Sequence, residues 1–293
     1  MVGKINLIKT ILITGWMLAI LPSCRNEPVL QQVIDLPIND TVSSLINKGG
    51  RYYISTLNNN VIWVLDSNYR LVRKLTDTID SSHTISMALS PDNDLMLLLR
   101  DSTGNNRFGV SLINKLQHFT LDTFYQRLLL NGVKMVDLTS IVAIPGGWAI
   151  INRGNKGYRK NQLILTREEF WNRQSHSWIV TQLFGVNPDS SVFNGVTNIS
   201  YDHRNDNLLA IANEDKSIHS YLWIFKNISS KKNWKAINPD QVTDLQKIDP
   251  RLSGYYFTGL CVLSVTRKYL YLILAGTNRE AVSKLFRVVI PNS

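Results

Sequence analysis

Residues 194–227 read NGVTNISYDHRNDNLLAIANEDKSIHSYLWIFKN. The stretch predicts three short strands, at 196–201, 208–213 and 221–225, parted by polar turns at 202–207 and 214–219. The second and third runs are nearly continuous in apolar residues rather than alternating. That is the pattern of strands buried on both faces.

The same cadence recurs along the chain. Working backward, 140–144, 148–152 and 162–165 repeat it, with 178–183 as a fourth, outer strand. Before them come 85–89, 95–100 and 109–113, and earlier still 45–46, 52–56, 61–66 and 71–75. Toward the carboxyl end, 257–264, 269–274 and 285–290 form one more set. Gly49-Gly50, Ser90-Pro91-Asp92-Asn93 and Pro145-Gly146-Gly147 supply turn chemistry between strands. Three helices are also expected. Thr120 can cap one in which Leu121, Phe124, Tyr125, Leu128 and Leu129 share a face and Gly132 ends the run. Thr166 and Glu169 have capping-box spacing ahead of Phe170-Trp171, and Asn238-Pro239-Asp240 can start a third helix.

The last set has three strands and no outer one, while the chain begins with a lone strand at 29–36. Joining them would close a ring and remove exposed strand edges. The expected fold is therefore an all-β β-propeller of five blades, or six if two repeats are merged, with short helices inserted after blades two and three. A β-sandwich also has many short strands, but it does not account for the recurring triplets or the leftover first strand.

The amino terminus carries an address. Lys4 and Lys9 precede an apolar stretch at 11–21 that is short for a membrane span and suits a secretory signal. Leu21-Pro22-Ser23-Cys24 resembles the lipobox of bacterial lipoproteins, which implies lipidation of Cys24 and tethering to a membrane by acyl chains. An uncleaved anchor helix or a plain signal peptide is the other reading. The expected organisation is a signal peptide at 1–23, a tether at 24–28 and the propeller at 29–293. The implied location is the bacterial cell envelope, on the outer membrane, periplasmic or surface-facing. Cys261 is then the one cysteine left, inside an apolar run, so it cannot form an internal disulfide and reads as a small buried hydrophobe.

The 293 residues are 44% hydrophobic and 18% charged, which excludes a disordered chain. Formal net charge is +10, of which Lys4 and Lys9 hold two. The balance can favour anionic partners such as lipid headgroups, polyanionic glycans or phosphorylated compounds, or a protein partner, and a solvated basic surface accounts for it equally. No basic helix or aromatic RNA-binding signature accompanies it, so nucleic acid is not expected.

In a propeller, the loops between second and third strands share one face. Here they are 57–60, 101–107, 153–160, 214–219 and 276–280. The candidate ligand-binding residues on them are Asn59, Asp101, Arg107, Arg153, Asn155, Arg159, Lys160, Glu214, Asp215 and Arg279, with Asn194 at the start of its strand. The run Asn152-Arg153-Gly154-Asn155-Lys156-Gly157-Tyr158-Arg159-Lys160-Asn161 could hold a carboxylate or phosphate through guanidinium forks and backbone amides. It lacks the Gly-Lys-Ser/Thr ending of a Walker loop. Glu214 and Asp215 could pair with these cations, or hold a hard cation such as Ca²⁺ with asparagine oxygens. Two acids alone do not define a metal site, and none is assigned. Asparagine also favours turns for backbone reasons, and a solvated loop accounts for the same residues. No Gly-x-Ser-x-Gly elbow, His-Glu-x-x-His or cysteine cluster occurs, so no catalytic residue is assigned. His83 and His219 are expected near the rim, and His118, His176 and His203 on outer loops or turns.

Asn152-Arg153-Gly154-Asn155, Asn161-Gln162-Leu163-Ile164, Glu168-Glu169-Phe170 and Asn194-Gly195-Val196-Thr197 resemble a family of bacterial secreted propellers, similar in outline to SdiA-regulated and phytase-like esterase propellers. The resemblance implies an acidic pair near the start of blade two, where this chain reads Ser81-Ser82-His83-Thr84. Two functions are therefore open: a binding or interaction module on a membrane surface, or a metal-assisted hydrolase of phosphoesterase, esterase or lactonase type with its site at the channel mouth.

Overall fold

The computed structural model describes residues 27–58, 61–77, 83–89, 93, 95–100, 106–112, 118–125, 129–130, 133–134, 138–152, 162–172, 177–185, 193–214, 219–231 and 237–292. The strands are β1 (Val29–Asp35), β2 (Val42–Lys48), β3 (Arg51–Thr56), β4 (Val61–Leu65), β5 (Leu71–Asp77), β6 (His83–Leu89), β7 (Leu95–Arg100), β8 (Asn106–Leu112), β9 (His118–Tyr125), β10 (Leu129–Leu130) and β11 (Val133–Lys134). They continue as β12 (Leu138–Ile144), β13 (Gly147–Asn152), β14 (Gln162–Asn172), β15 (Ser177–Gly185), β16 (Phe193–Asp202), β17 (Asn207–Glu214), β18 (Ser220–Phe225), β19 (Gln241–Asp244), β20 (Tyr255–Val265), β21 (Tyr269–Asn278) and β22 (Ser283–Pro291).

Three sheets are four-stranded: β12-β13-β14-β15, β16-β17-β18-β19 and β1-β22-β21-β20. An eight-stranded sheet runs β2-β3-β4-β5-β9-β8-β7-β6. Its two antiparallel halves, β2–β5 and β6–β9, meet through a short parallel ladder, Thr76 opposite His118 and Asp77 opposite Phe119. The strands β2, β6, β12, β16 and β20 lie side by side in that order, and β20 returns to β2. The molecule is all-β and propeller-like.

The apolar core lies in the clefts between these units, because the apolar runs supply side chains to both faces of each strand. In β17, Leu208, Ala210 and Ala212 join one cluster with Trp223 and Phe225, while Leu209 and Ile211 join the next with Phe257 and Leu260. In β7, Leu95, Leu97 and Leu99 face one cleft and Met96 and Leu98 the other. The fifth cleft holds Ile34, Leu45, Ile54, Ile273 and Leu285.

The first strand does pair with the last. β1 runs antiparallel to β22, with Asp35 opposite Lys284, and their side chains form an ion pair of 2.9 Å. Leu30 and Ile34 are buried in the process.

The helical expectations fail at three places. Residues 118–125 are β9, and 129–130 are β10. A register shift in the β8–β9 ladder between Val110 and Ser111 breaks the period of two, so apolar spacing there imitates a helix. Thr166 is not a solvent-facing cap: it is 2% exposed within β14, which continues through Phe170 and Trp171 to pair with β15. Aromatic β-propensity overrides the local capping-box match there. After Asp240 the chain forms β19, the outer strand beside β18, rather than a helix. Among the described residues the helical segments are three 3₁₀ turns, Ile228–Ser230, Leu245–Lys247 and Pro250–Leu252. His118 opens β9 instead of lying on a loop.

Candidate functional site

Each of the five central strands carries a bulge near its first residues, at Val42/Ser44, Thr84/Ser86, Leu138/Ser140, Val196/Asn198 and Phe257/Gly259. A bulge re-aims one side chain out of the ladder. Here the bulged residues reach the next unit. Ser43 Oγ donates to the Thr84 carbonyl (2.8 Å), Thr139 Oγ1 to Val196 (3.0 Å) and Thr197 Oγ1 to Phe257 (3.5 Å). Thr258 Oγ1 donates to the Val42 carbonyl and so closes the circuit. The one bulged position without a hydroxyl is Ile85. There Arg100 Nη2 donates to the matching carbonyl, Leu138, at 3.2 Å.

The following residue makes a second set of contacts. Ser44, Ser86 and Ser140 accept through Oγ from the backbone N–H of Met87, Ile141 and Ile199 at 3.0, 3.2 and 3.0 Å. Buried Asn213 adds a bridge, donating from Nδ2 to Thr197 Oγ1 (2.8 Å) and the Phe257 carbonyl (3.0 Å). Val42 N–H donates to Thr277 Oγ1, which contacts Ser283 Oγ at 2.7 Å. The result is a girdle of polar contacts that ties neighbouring units together, with one gap: Asn198, at the place of the serines in β16, has a buried Nδ2 without a hydrogen-bond partner. Replacing Thr139 by valine keeps the shape and removes one donor from a 9%-exposed site. Urea unfolding is expected to show a loss of about 1–2 kcal/mol, and an unchanged midpoint would speak against the girdle.

These residues were not among the candidates. Their signal lies in five tetrapeptides: Val42-Ser43-Ser44-Leu45, Thr84-Ile85-Ser86-Met87, Leu138-Thr139-Ser140-Ile141, Val196-Thr197-Asn198-Ile199 and Phe257-Thr258-Gly259-Leu260.

The sequence candidates are placed as follows. Asn59, Asp101, Arg153, Asn155, Arg159, Lys160 and Asp215, and with them Cys24, lie outside the described residues. Arg107 is on β8 opposite Leu99, and Asn194 is the bulged residue between the pairs Phe193–Glu214 and Gly195–Asn213. Asn194 and Glu214 are thus brought together at the end of the β16–β17 hairpin. Glu214 is half-buried, and its N–H donates to the His219 carbonyl at 3.0 Å, closing the turn. Burial, and then the charges of Glu214 and Asp244, push the Tyr221 phenol above its ordinary pKa. Arg279 is exposed at the same end of the neighbouring sheet, in a turn shaped by Asn278 Oδ1 accepting from Glu280 and Val282 N–H. Gly276, expected in that loop, belongs to β21. Among the described residues no three His, Cys, Asp or Glu side chains converge as metal ligands would.

The opposite end of the central strands is partly apolar. A cavity of about 170 Å³ there is lined by Ile46, Leu89, Val142, Ser200, His203 and Val262, among others. It is below the roughly 300–1,000 Å³ typical of small-molecule sites. Cys261 borders it, and burial pushes its thiol up to about 12, partly offset by a backbone hydrogen bond at Asn47. Burial thus disfavours the thiolate, the nucleophilic form. A disulfide reagent is therefore expected to label Cys261 in urea but not in native protein; rapid native labelling would contradict its burial.

No protein-family model matches the chain, and no curated protein sequence matches it. Solved structures do. A glutaminyl cyclase from Myxococcus xanthus superimposes with a TM-score of 0.58 at 10% identity, covering 91% of this chain and 97% of that one. A hydrazine synthase from Kuenenia stuttgartiensis gives 0.44 at 10% identity over 89% and 65% of the two chains. A Bacteroides fragilis protein described as exported gives 0.42 at 9% over 91% and 96%. At such identities the likeness is one of fold. The sheets, the ring of central strands and the superposition on the cyclase define the class: an all-β, propeller-like protein.

Proposed function

We propose that the protein is a five-bladed, lipid-anchored propeller of the cell envelope that binds an anionic ligand at the loop-side mouth of its channel. The count of five is supported by five central strands, five apolar clusters between units, and the brevity of the parallel ladder that joins two of them in one sheet. The lipobox-like Leu21-Pro22-Ser23-Cys24 supports the anchor. Mass spectrometry of the mature amino terminus is expected to find diacylglyceryl on Cys24, and an unmodified cysteine would remove the anchor from the proposal.

The observation that carries the binding reading is the girdle. It commits the hydroxyls of Ser43, Thr139, Thr197 and Thr258 to holding the units together, and the exposed polar groups for recognition are those of the loops at that end. Asn194, Glu214 and Arg279 share that end, and the loop containing Arg153, Asn155, Arg159 and Lys160 follows the strand whose last residue is Asn152. Guanidinium groups on a rigid frame suit carboxylates, phosphates or acidic glycans, and an acidic protein surface presents the same chemistry. The similarity to SdiA-regulated and phytase-like esterase propellers adds to the fold and not to an activity, because fold alone does not fix function. Purified protein is to be screened on an array of glycans and anionic metabolites, with metal content and turnover on an ester panel measured alongside. A bound anion without turnover is the expected result. Stoichiometric Ca²⁺ or a transition ion together with ester hydrolysis would replace the proposal with a metal-assisted hydrolase.

A further inference from the structure

Among the described residues, the two ends of the propeller differ in charge and in exposed apolar surface. The end away from the binding loops carries the turns β2–β3, β4–β5, β16–β17 and β20–β21. These turns bring six cations to one side: Lys48, Arg51, Arg70, Arg204, Arg267 and Lys268. Their carboxylates are Asp66, Asp202 and Asp206, and each accepts hydrogen bonds within its own turn region. Asp66 accepts from Arg70 N–H (2.9 Å), Asp202 from Arg204 N–H (2.9 Å), and Asp206 from Tyr201 OH (2.6 Å) and Ser229 N–H (3.1 Å). Glu27 and Asp240 also lie at this end, the latter paired with Lys231 and bonded to Lys226 N–H, and among the described residues the local balance stays positive.

The exposed large hydrophobics follow the same division. Val29, Leu71, Val72 and Val242 are 48%, 42%, 47% and 53% exposed, and all lie at the turn-side ends of outer strands. Leu57, 42% exposed, is at the opposite end. The chain also enters the fold on this side. Glu27 and Pro28 line a groove of about 740 Å³ together with Val242, Arg267, Lys268, Tyr269 and the ion pair of Lys247 with Asp244 (3.3 Å). Twenty-six residues precede Glu27 in the sequence.

We propose that this turn-side end is a docking face for an anionic lipid surface. The inference rests on the reading of the protein as membrane-anchored, and it adds which face meets the bilayer. Cations beside partly exposed aliphatic and aromatic side chains are what an interfacial surface needs: attraction to phosphate headgroups and shallow burial of apolar groups. The acyl chains at Cys24 tether the domain, and a basic face beside the tether sets which side of it lies against the headgroups. The binding loops then face away from the bilayer.

The test uses the chain from residue 25 onward, without acyl groups, so that its outcome is independent of lipidation at Cys24; every described strand is retained. Co-sedimentation is measured with vesicles of phosphatidylcholine alone and with about one third phosphatidylglycerol, at low and high salt. Binding is expected only to the anionic vesicles and should weaken with salt. Each cation near such a surface contributes about fivefold to partitioning. Arg267→Glu with Lys268→Glu should therefore reduce binding at least about twentyfold, Arg51→Glu with Arg70→Glu comparably, and Arg279→Glu hardly at all. Circular dichroism and thermal melts verify the fold of each variant. Absence of vesicle binding, equal binding to neutral vesicles, or an equal loss with Arg279→Glu would overturn the proposal.

Discussion

Deleting residues 27–35 is expected to abolish cooperative unfolding of the monomer. The deletion removes β1, the strand that joins the two ends of the chain in one sheet. Leu30 and Ile34, 6% and 9% exposed, would be lost from two different clefts. Burial of each is worth about 2 kcal/mol. The deletion also leaves β22 as a bare edge and removes the Asp35–Lys284 ion pair. Small domains are stable by only about 5–15 kcal/mol, so this loss approaches the whole. An open sheet edge also invites pairing with other chains. Size-exclusion chromatography and urea unfolding should show aggregates or a broad transition, and a synthetic peptide of residues 27–37 should restore the sharp one. A truncated monomer with an unchanged transition would mean that β1 does not close the ring.

Gly259→Val should be the most damaging single substitution. A Cβ at Gly259 would lie 2.7 Å from Ala275 Cβ and 3.1 Å from Leu45 Cβ. Both neighbours are Cβ atoms fixed to strand backbones, so relief requires moving β21 or β2. Overpacking of this kind costs about 3 kcal/mol. The position accounts for the glycine: Ser44, Ser86, Ser140 and Asn198 occupy matching places after the bulges of β2, β6, β12 and β16, and at that place in β20 there is no room for a side chain. Gly259→Ala should be rescued in part by Ala275→Gly, since the second change removes the atom that the first one strikes. Additive losses in that pair would contradict the contact. Gly146→Ala is a contrasting control, with φ of 73° but nothing within 4 Å of the added atom. It tests backbone conformation alone.

The sequence was most legible where burial on both faces leaves few choices. Leu95–Arg100 and 208–213 are apolar almost throughout, and the clefts receive their side chains alternately. The unpaired strand at 29–36 was readable because a ring needs a closing strand. Helices were misread where a bulge replaces alternation with a three-residue step, as in β9, or where a capping pattern falls inside a strand, as at Thr166. The girdle was missed for a different reason. Ser43, Thr139, Thr197 and Thr258 look like ordinary polar residues along strands; only the shared bulge gives them a common direction toward the next unit. Arg100 could not be recognised as their counterpart from sequence, because it reaches the same kind of carbonyl from the neighbouring strand. Of the binding candidates, Asn194 and Glu214 come together because hairpin register pairs Glu214 with Phe193 and leaves Asn194 in the bulge beside it, which strand boundaries alone did not specify.

The division of labour between the two ends can be measured in one competition. Take the tightest anionic ligand from the array and determine its Kd for wild-type protein, for Arg279→Glu combined with Arg153→Glu on the loop side, and for Arg267→Glu combined with Lys268→Glu on the turn side. The loop-side pair should weaken binding at least about tenfold, the order expected when charge-assisted hydrogen bonds are lost. The turn-side pair should leave Kd unchanged. Equal Kd values for wild-type and loop-side protein, or a loss confined to the turn-side pair, would contradict a ligand site at the loop-side mouth.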